Sequence, residues 1–453
     1  MTTASGVPRG SSAPLRAAAS GVPRGSSAPL RAAAAGVPRG SSAPLRVAAG
    51  WTERVQHYRE RFGTFLEIEV GPLEEELARQ DVGTPFNPHL DDAGRMHPAV
   101  WEARREAQRR SAAAGLYAPH VPGPGTTRFT RPEMQHVEEF VYHRSGLGLG
   151  LAALAWTEGP NDAIEYCTPA AREHWVDPLK RAEITAAFAN TEPSVGTDVL
   201  AITTRARQDG DDWILDGHKA WITNAHFCDV IQVTAVTEPG AGTRSLTMFL
   251  VDANAPGVTR GRDIPTMLDD GLTGELHFDG VRIPAEDVVG QPGDGFALAM
   301  TWINWRRMIR GGMCAGWGQW LLERAVGRAR TRTVGGRPIA EQQVVAHMLA
   351  DMDADVYTAR AASLQLQVDL EALPGGPAAV PLDPAGPRLM SLLKVVNDEA
   401  FFRVADRAMQ VHGGAGLRKG SPEEKLFRIA RNLRIPAGTD EIQRNAIARG
   451  LLR

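Results

Sequence analysis

Cysteine is scarce in this chain of 453 residues: there are three, Cys167, Cys228 and Cys314, far apart in sequence. None stands beside a second cysteine or a histidine pair at ligand spacing, which excludes a disulfide framework and predicts no metal site. A reducing, cytoplasmic setting is expected. No run of 18 or more uncharged apolar residues occurs, and no basic start leads into a short apolar segment, so neither a membrane span nor a secretory signal is predicted. Charge of one sign is also missing. With 50 basic against 53 acidic residues the formal net charge is −3, which argues against nucleic acid or a membrane surface as partner.

What is present is enough apolar content, 43%, to bury the cores of two or three domains. The first 48 residues are a separate matter. They repeat "GVPRGSSAPLR" from Gly6, Gly21 and Gly36, each copy with two prolines, two glycines and two serines against one leucine and one valine. That is too little apolar surface to offset the entropy of ordering, so residues 1–48 read as a disordered tail.

From Trp51 the period is helical. Trp51, Val55, Tyr58 and Phe62 recur on one face, and "PAVWEARREAQRRSAAAGLY" continues in helix formers, so residues 49–185 read as an all-α domain. The string "GLGLG", Gly146 to Gly150, follows a helical stretch and lacks the third spaced glycine of a dinucleotide loop; it reads as helix packing or a turn. Between 186 and 295 short alternating runs, "WILDG", "VIQVTAV", "LTMFLV" and "GELHFDGVRIP", predict a compact antiparallel β-domain. Residues 296–453 return to long helical runs that suit a four-helix bundle, with "PGGPAAVPLDPAGP" as a linker.

Five strings carry chemistry, in a fixed order. "FANTEPSVGTD" offers hydroxyls and backbone N–H groups at the entrance to the β-domain, although a capped turn explains such a string as well. "GHKAWITNAHFCDV" places Trp221 and Thr223 on one strand face, an indole and a hydroxyl suited to a flat heteroaromatic ligand or simply to a core. "RTVGGRPIAEQQ" supplies a cation and an amide around a glycine turn. The glycines of "QVHGGAGL" permit close backbone approach to a pyrophosphate or cap a helix. The last string is "AGTDEIQR".

Together these five strings resemble the acyl-CoA dehydrogenase family over roughly residues 80 to 453, and the helical, β, helical order is also that family's. The resemblance implies an α+β fold of three domains, FAD as cofactor, an acyl thioester of CoA or of a carrier protein as substrate, and an electron-transfer partner of unknown identity. It also implies a homotetramer. By match, Phe188, Asn190, Thr191, Gly196 and Thr197 line the flavin and the thioester entrance, with Thr197 also on the substrate side. Trp221, Ile222 and Thr223 pack on the isoalloxazine. Arg332, Gln343, Gln410, Gly413 and Gly414 hold the pyrophosphate and adenosine across a subunit interface, Thr439 and Glu441 reach the cofactor from the bundle, and Arg307 lies beside the CoA moiety. The family's usual Phe-Gly is here Gly335-Gly336, which removes a ring.

The family's reaction needs a carboxylate to take the proton alpha to the thioester. Most members place a glutamate just before "GT"; here that residue is Ala437. A second branch places it immediately before the position matched by Arg307, and here that residue is Arg306, which is no base. The backbone N–H of Ala437 still serves to polarise a carbonyl. The base is thus unassigned, with Asp440, Glu423 and Glu424 the nearest acids in sequence besides Glu441, which is matched to the cofactor. Three readings follow: dehydrogenation with a non-standard base, reduction or oxygenation by a flavoenzyme of specialised metabolism, or a silent flavin- and acyl-CoA-binding subunit.

Overall fold

The structure, a computed structural model, describes residues 49–80, 82, 89–122, 127–155, 157–374 and 385–452. The repeat tail expected over residues 1–48, and most of the proline-rich linker, lie outside the described residues.

Helices α1 (Glu53–Phe65), α2 (Gly71–Gln80), α3 (Pro98–Ala113) and α4 (Arg131–Ser145) come first. Their starts are written in the sequence. The Thr52 hydroxyl accepts from the Val55 N–H ahead of α1, and Thr130 and Glu133 form a capping box on α4 with Pro132 in its first turn. Tyr58, Phe62 and Phe65 of α1 pack on Met134, Val137 and Val141 of α4. The "GLGLG" string is a turn: Gly146 ends α4 at φ 54°, and a side chain there would strike the Trp320 ring. Beyond it the described residues up to Cys167 form turns and short 3₁₀ pieces, before the short helices α5 (Pro169–Ala171) and α6 (Asp177–Lys180).

The strands are β1 (Ala186–Ala189), β2 (Arg205–Asp209), β3 (Asp212–Thr223), β4 (Val230–Val236), β5 (Leu246–Asp252), β6 (Val258–Asp263), β7 (Thr273–Ile283) and β8 (Val288–Val289). They form one sheet in the order β6-β7-β3-β2-β4-β5-β8, with β1 also on β4. The expected antiparallel domain is mixed in one respect, since β1 and β2 run parallel to β4. Parallel partners need long connections, which alternation along single strands does not reveal.

Helix α7 (Gly295–Met308) leads into α8 (Arg310–Thr331), and a small hairpin, β9 (Thr333–Val334) and β10 (Arg337–Pro338), precedes α9 (Gln343–Glu371) and α10 (Gly386–His412). Three long helices, α8 to α10, share a core that includes Met313, Trp317, Leu321, Met352, Phe401 and Val404. The shorter α11 (Pro422–Leu433) and α12 (Asp440–Leu452) complete the bundle against α10. The helical, β, helical order along the chain is the one the resemblance implied.

Helix α4 reaches α8 through glycines. A Cβ at Gly312 would stand 2.4 Å from the Cβ of Glu138 and 2.7 Å from the Gln135 carbonyl oxygen, whereas one at Gly327, further along α8, would meet open space. Gly312→Ala is expected to destabilise the fold by about 1–3 kcal/mol through overpacking. Gly327→Ala should stabilise it by about 0.5–1 kcal/mol through helix propensity. Urea melts of the two variants check the pair; equal effects would show that α4 does not press on α8 there.

Candidate active site

Strand β1 ends at Ala189, and the chain then turns through the first motif. Glu192 anchors that turn. Its Oε1 accepts from the Lys219 Nζ at 3.0 Å and the Thr204 N–H at 2.9 Å, and its Oε2 accepts from the Thr203 N–H and hydroxyl at 2.7 Å each. Both members of the pair are buried, and Lys219 also donates to the Asn190 carbonyl at 3.0 Å. Because Lys219 belongs to β3, this pair, together with the Ala220 N–H donating to the Thr191 carbonyl, fastens the first motif to the second.

Two residues later β3 changes register against β7, between Lys219 and Ile222. Trp221 sits in that irregularity at φ 62° and is 57% exposed, while Ile222 is buried and Thr223 half-buried. A tryptophan in the left-handed region is strained, and an indole held out to solvent by strain is an outlier of the kind found at ligand sites. Asn190, whose carbonyl accepts from Lys219, is buried with its Oδ1 unpartnered among the described residues.

Helix α7 joins the β-domain to the bundle. Its Trp302 stacks on Phe188 of β1 with centroids 4.0 Å apart and planes 10° from parallel, and its Trp305 stacks on the buried His120 at 5.2 Å. Arg307 turns the other way. Its Nη1 donates to Asn304 Oδ1, and its Nε donates to the Ala437 carbonyl at 2.9 Å. Gln443 Nε2 reaches the same carbonyl at 3.2 Å and that of Gly438 at 3.1 Å. Ala437 lies at φ 61° and Gly438 at φ 83°, so the loop makes a left-handed double turn that an L-residue adopts only at a cost of about 1–2 kcal/mol. The Ala437 N–H makes no hydrogen bond within the chain among the described residues. Burial, reinforced by Arg310, lowers the Arg306 and Arg307 pKa values to about 10, which leaves both cationic at neutral pH.

Apart from Glu441, which is matched to the cofactor, the acids near Ala437 in sequence are engaged elsewhere. Asp440 is 1% exposed and bonded to Lys394 at 2.9 Å and Arg434 at 2.9 Å. Glu423 pairs with Arg324 at 2.7 Å and His412 at 3.2 Å, and Glu424 pairs with Arg428 at 2.6 Å. Each is ion-paired as an anchor of α11 or α12, and the base stays unassigned.

The structure divides the expected cofactor residues into two groups. Phe188, Asn190, Thr191, Gly196, Thr197, Trp221, Ile222 and Thr223 belong to the β-domain, which the Phe188–Trp302 stack ties to α7, the helix that holds Ala437 ahead of Thr439 and Glu441. Arg332, Gln343, Gln410, Gly413 and Gly414 are exposed, with nothing within 4 Å of a Cβ at either glycine. Arg332 follows Arg307 by 25 residues of nearly continuous helix, on the order of 37 Å at 1.5 Å per residue. Sequence reasoning missed Lys219, Trp302 and Gln443; the density of tryptophan in "TWINW" was the available signal for one of them.

Residues 187–281 match the family model for the acyl-CoA dehydrogenase middle domain, and residues 293–452 match that for the acyl-CoA dehydrogenase C-terminal domain. The chain is 32% identical to the cyclohex-1-ene-1-carbonyl-CoA dehydrogenase of Syntrophus aciditrophicus, over 67% of this chain and 71% of that protein. It is 32% identical to the 3-(aryl)acrylate reductase of Clostridium sporogenes, over 62% of this chain and 72% of that protein. Among solved structures, the acyl-CoA dehydrogenase of Geobacillus kaustophilus superposes with a TM-score of 0.73 at 26% identity, covering 89% of this chain and 99% of that one. The chain belongs to the acyl-CoA dehydrogenase family.

The Glu192–Lys219 pair supplies a pH test. Burial alone would raise the Glu192 pKa; the Lys219 ammonium and the hydrogen bonds from Thr204 and Thr203 outweigh it and bring the group down to about 2. A carboxyl depressed on folding contributes stability above its unfolded pKa, about 4.3, and loses it as pH falls toward 2. Glu192→Gln should therefore flatten the acid limb of stability between about pH 5 and pH 2. Lys219→Ala should cost about 3–5 kcal/mol at neutral pH by leaving a buried charge unpaired. Chemical denaturation across pH measures both, and an unchanged acid limb in the glutamine variant would remove Glu192 as its source.

Proposed function

We propose that this member of the acyl-CoA dehydrogenase family binds FAD non-covalently and acts on the alpha-beta carbon bond of an acyl thioester, with no carboxylate at either usual seat of the base. The observation that carries the reading is the Ala437 loop. Its carbonyl is clamped by Arg307 and Gln443 while its N–H is left unbonded, an arrangement that offers a hydrogen-bond donor to a thioester carbonyl without offering a base.

The residues present suit FAD. The strained, exposed indole of Trp221 with Thr223 beside it, and the unpartnered Oδ1 of Asn190, provide an apolar platform and a polar contact for a flat ring system. Open backbone at Gly413 and Gly414, with Arg332 and Gln343 exposed, suits a pyrophosphate and adenosine. When bound, FAD supplies the acceptor for the hydride from the beta carbon. The separation of the two groups along α7 and α8 supports a cofactor site completed by a second copy of the chain. Exposed Val334, Val344 and Leu417 lie beside the second group and supply apolar surface for such an interface. A homotetramer is the assembly proposed, with an electron-transfer protein as acceptor.

The chain's own residues then bind and orient the substrate, polarise its carbonyl from the Ala437 N–H and exclude water with Phe188, Trp302 and Trp305. Arg306 adds a fixed positive charge where the second branch carries its acid. A second reading, reduction of an unsaturated substrate, is favoured by the one observation that neither seat holds an acid. No helix among the described residues is long and apolar enough to cross a membrane.

Purified protein is expected to be yellow with releasable FAD and to scatter light as an oligomer; a flavin-loaded monomer would overturn the shared site. Anaerobic flavin bleaching by saturated acyl thioesters should be slow in the wild type and accelerate in Ala437→Glu, within the roughly 10²- to 10⁴-fold that a placed base contributes. Bleaching absent for every thioester in both proteins, with oxidation of the pre-reduced flavin by an unsaturated thioester or acid, would replace dehydrogenation with the reductive reading.

A further inference from the structure

Among the described residues one group of histidine and carboxylate donors converges: His218 of β3 with Glu275 and His277 of β7, whose ligand atoms all lie within 4.8 Å of one another. The sheet creates the group. His218 and His277 are direct partners across the antiparallel β3–β7 pair, and Glu275, two residues before His277, shares its face by the period of two along a strand. The two imidazoles stack with centroids 4.0 Å apart and planes 21° from parallel.

We propose that His218, His277 and Glu275 form a binding site for a divalent transition-metal ion of the Zn²⁺ class. Both Nε2 atoms face the same carboxylate oxygen, Glu275 Oε2, at 3.6 Å and 3.9 Å. Metal–ligand bonds of about 2.0–2.2 Å at tetrahedral angles place ligand atoms roughly 3.4 Å apart, so the two nitrogen–oxygen separations need close by only a few tenths of an ångström, while the partly exposed rings turn out of their stack to aim both nitrogens at one ion. The other oxygen, Oε1, is fixed by Arg262 Nε at 2.8 Å, the kind of outer partner that orients a ligating carboxylate. His218 Nε2 is buried and makes no hydrogen bond to any described residue.

Room for the group is provided by β6. A Cβ on Gly261 would stand 2.8 Å from His277 Nε2 and 2.8 Å from the Glu275 Cβ. The imidazoles remain partly open, at 36% and 43% side-chain exposure, so an ion enters from solvent and water completes its coordination. Two imidazoles and one carboxylate suit Zn²⁺, Ni²⁺ or Cu²⁺ and are poor for Mg²⁺ or Ca²⁺, which take oxygen ligands. The local-spacing rule that predicted no metal site could not find this one, because its histidines are 59 residues apart in sequence and meet only through strand pairing. A bound ion would clamp β3 to β7 directly before the register shift that carries Trp221.

The test is titration of the full-length protein, stripped with chelator, with Zn²⁺ by calorimetry, and with Co²⁺ by its visible absorption. One Zn²⁺ per chain is expected, with a rise in melting temperature on saturation and no response to Mg²⁺. His218→Ala and His277→Ala should each weaken binding by at least about tenfold, as even loss of an outer partner does. Their metal-free melting temperatures should match the wild type, since both side chains are partly exposed. Glu275→Gln should weaken binding and change the Co²⁺ bands. Absence of Zn²⁺ binding, or binding of equal strength in the His218→Ala/His277→Ala double variant, would overturn the site.

Discussion

The loop that contains Ala437 keeps its shape because of a charged network beneath it. Lys394, fully buried on α10, is bonded to Asp398 at 2.8 Å and Asp440 at 2.9 Å and donates to the Leu433 carbonyl; Arg310 approaches Asp398 at 3.3 Å and donates to the same carbonyl. Asp440 also takes Arg434, and its N–H closes the loop on the Arg434 carbonyl at 3.2 Å. Buried ions at this density add little net stability, because desolvation cancels much of the attraction. Breaking any one of them strands the others without a counter-charge. The network therefore enforces geometry: the end of α11, the loop and the start of α12 are held at fixed positions on α8 and α10, and α7 receives the Ala437 carbonyl from a support that does not shift.

The β-domain uses the same device on the other side of α7. The Glu192–Lys219 pair fixes the turn after β1 to β3 immediately before the point at which β3 departs from regular pairing and raises Trp221 at positive φ. Strain at one residue persists only when the surroundings over-determine it, and a buried ion pair two positions away is such a surrounding. Helix α7 then couples the two held elements, through the Phe188–Trp302 stack on one side and the Arg307–Ala437 hydrogen bond on the other. The irregular strand at Trp221 and the left-handed loop at Ala437 are thus each set by interactions beneath them.

This separation explains what could be read from the sequence. The five motif strings were legible because each is a local device, a turn, a strand face or a glycine opening, and their order along the chain matches a known family. The helical and β regions were legible from their periods. Partnerships between distant residues were not: Asp440 looked like a free acid beside the missing base, and only the fold brings Lys394 and Arg434 to it. The parallel pairing of β1 and β2 with β4, and the meeting of His218 with His277, are likewise products of topology. Trp302 could be seen as a tryptophan but not as the partner of Phe188, 114 positions earlier.

The same separation bears on the alanine. Everything that holds residue 437 acts through its backbone: the carbonyl is clamped by Arg307 and Gln443, and the dihedral is imposed by a loop closed at Asp440. The side chain at 437 does no work in that arrangement. A glutamate can be lost from the position without loosening the loop, the clamp or the unbonded N–H, because none of them depends on Cβ. On the function proposed above, carbonyl polarisation by the backbone is therefore physically independent of proton removal by a side chain. On that function, change at this single side chain alters which reaction step is fast while the clamped loop that would receive the thioester stays in place.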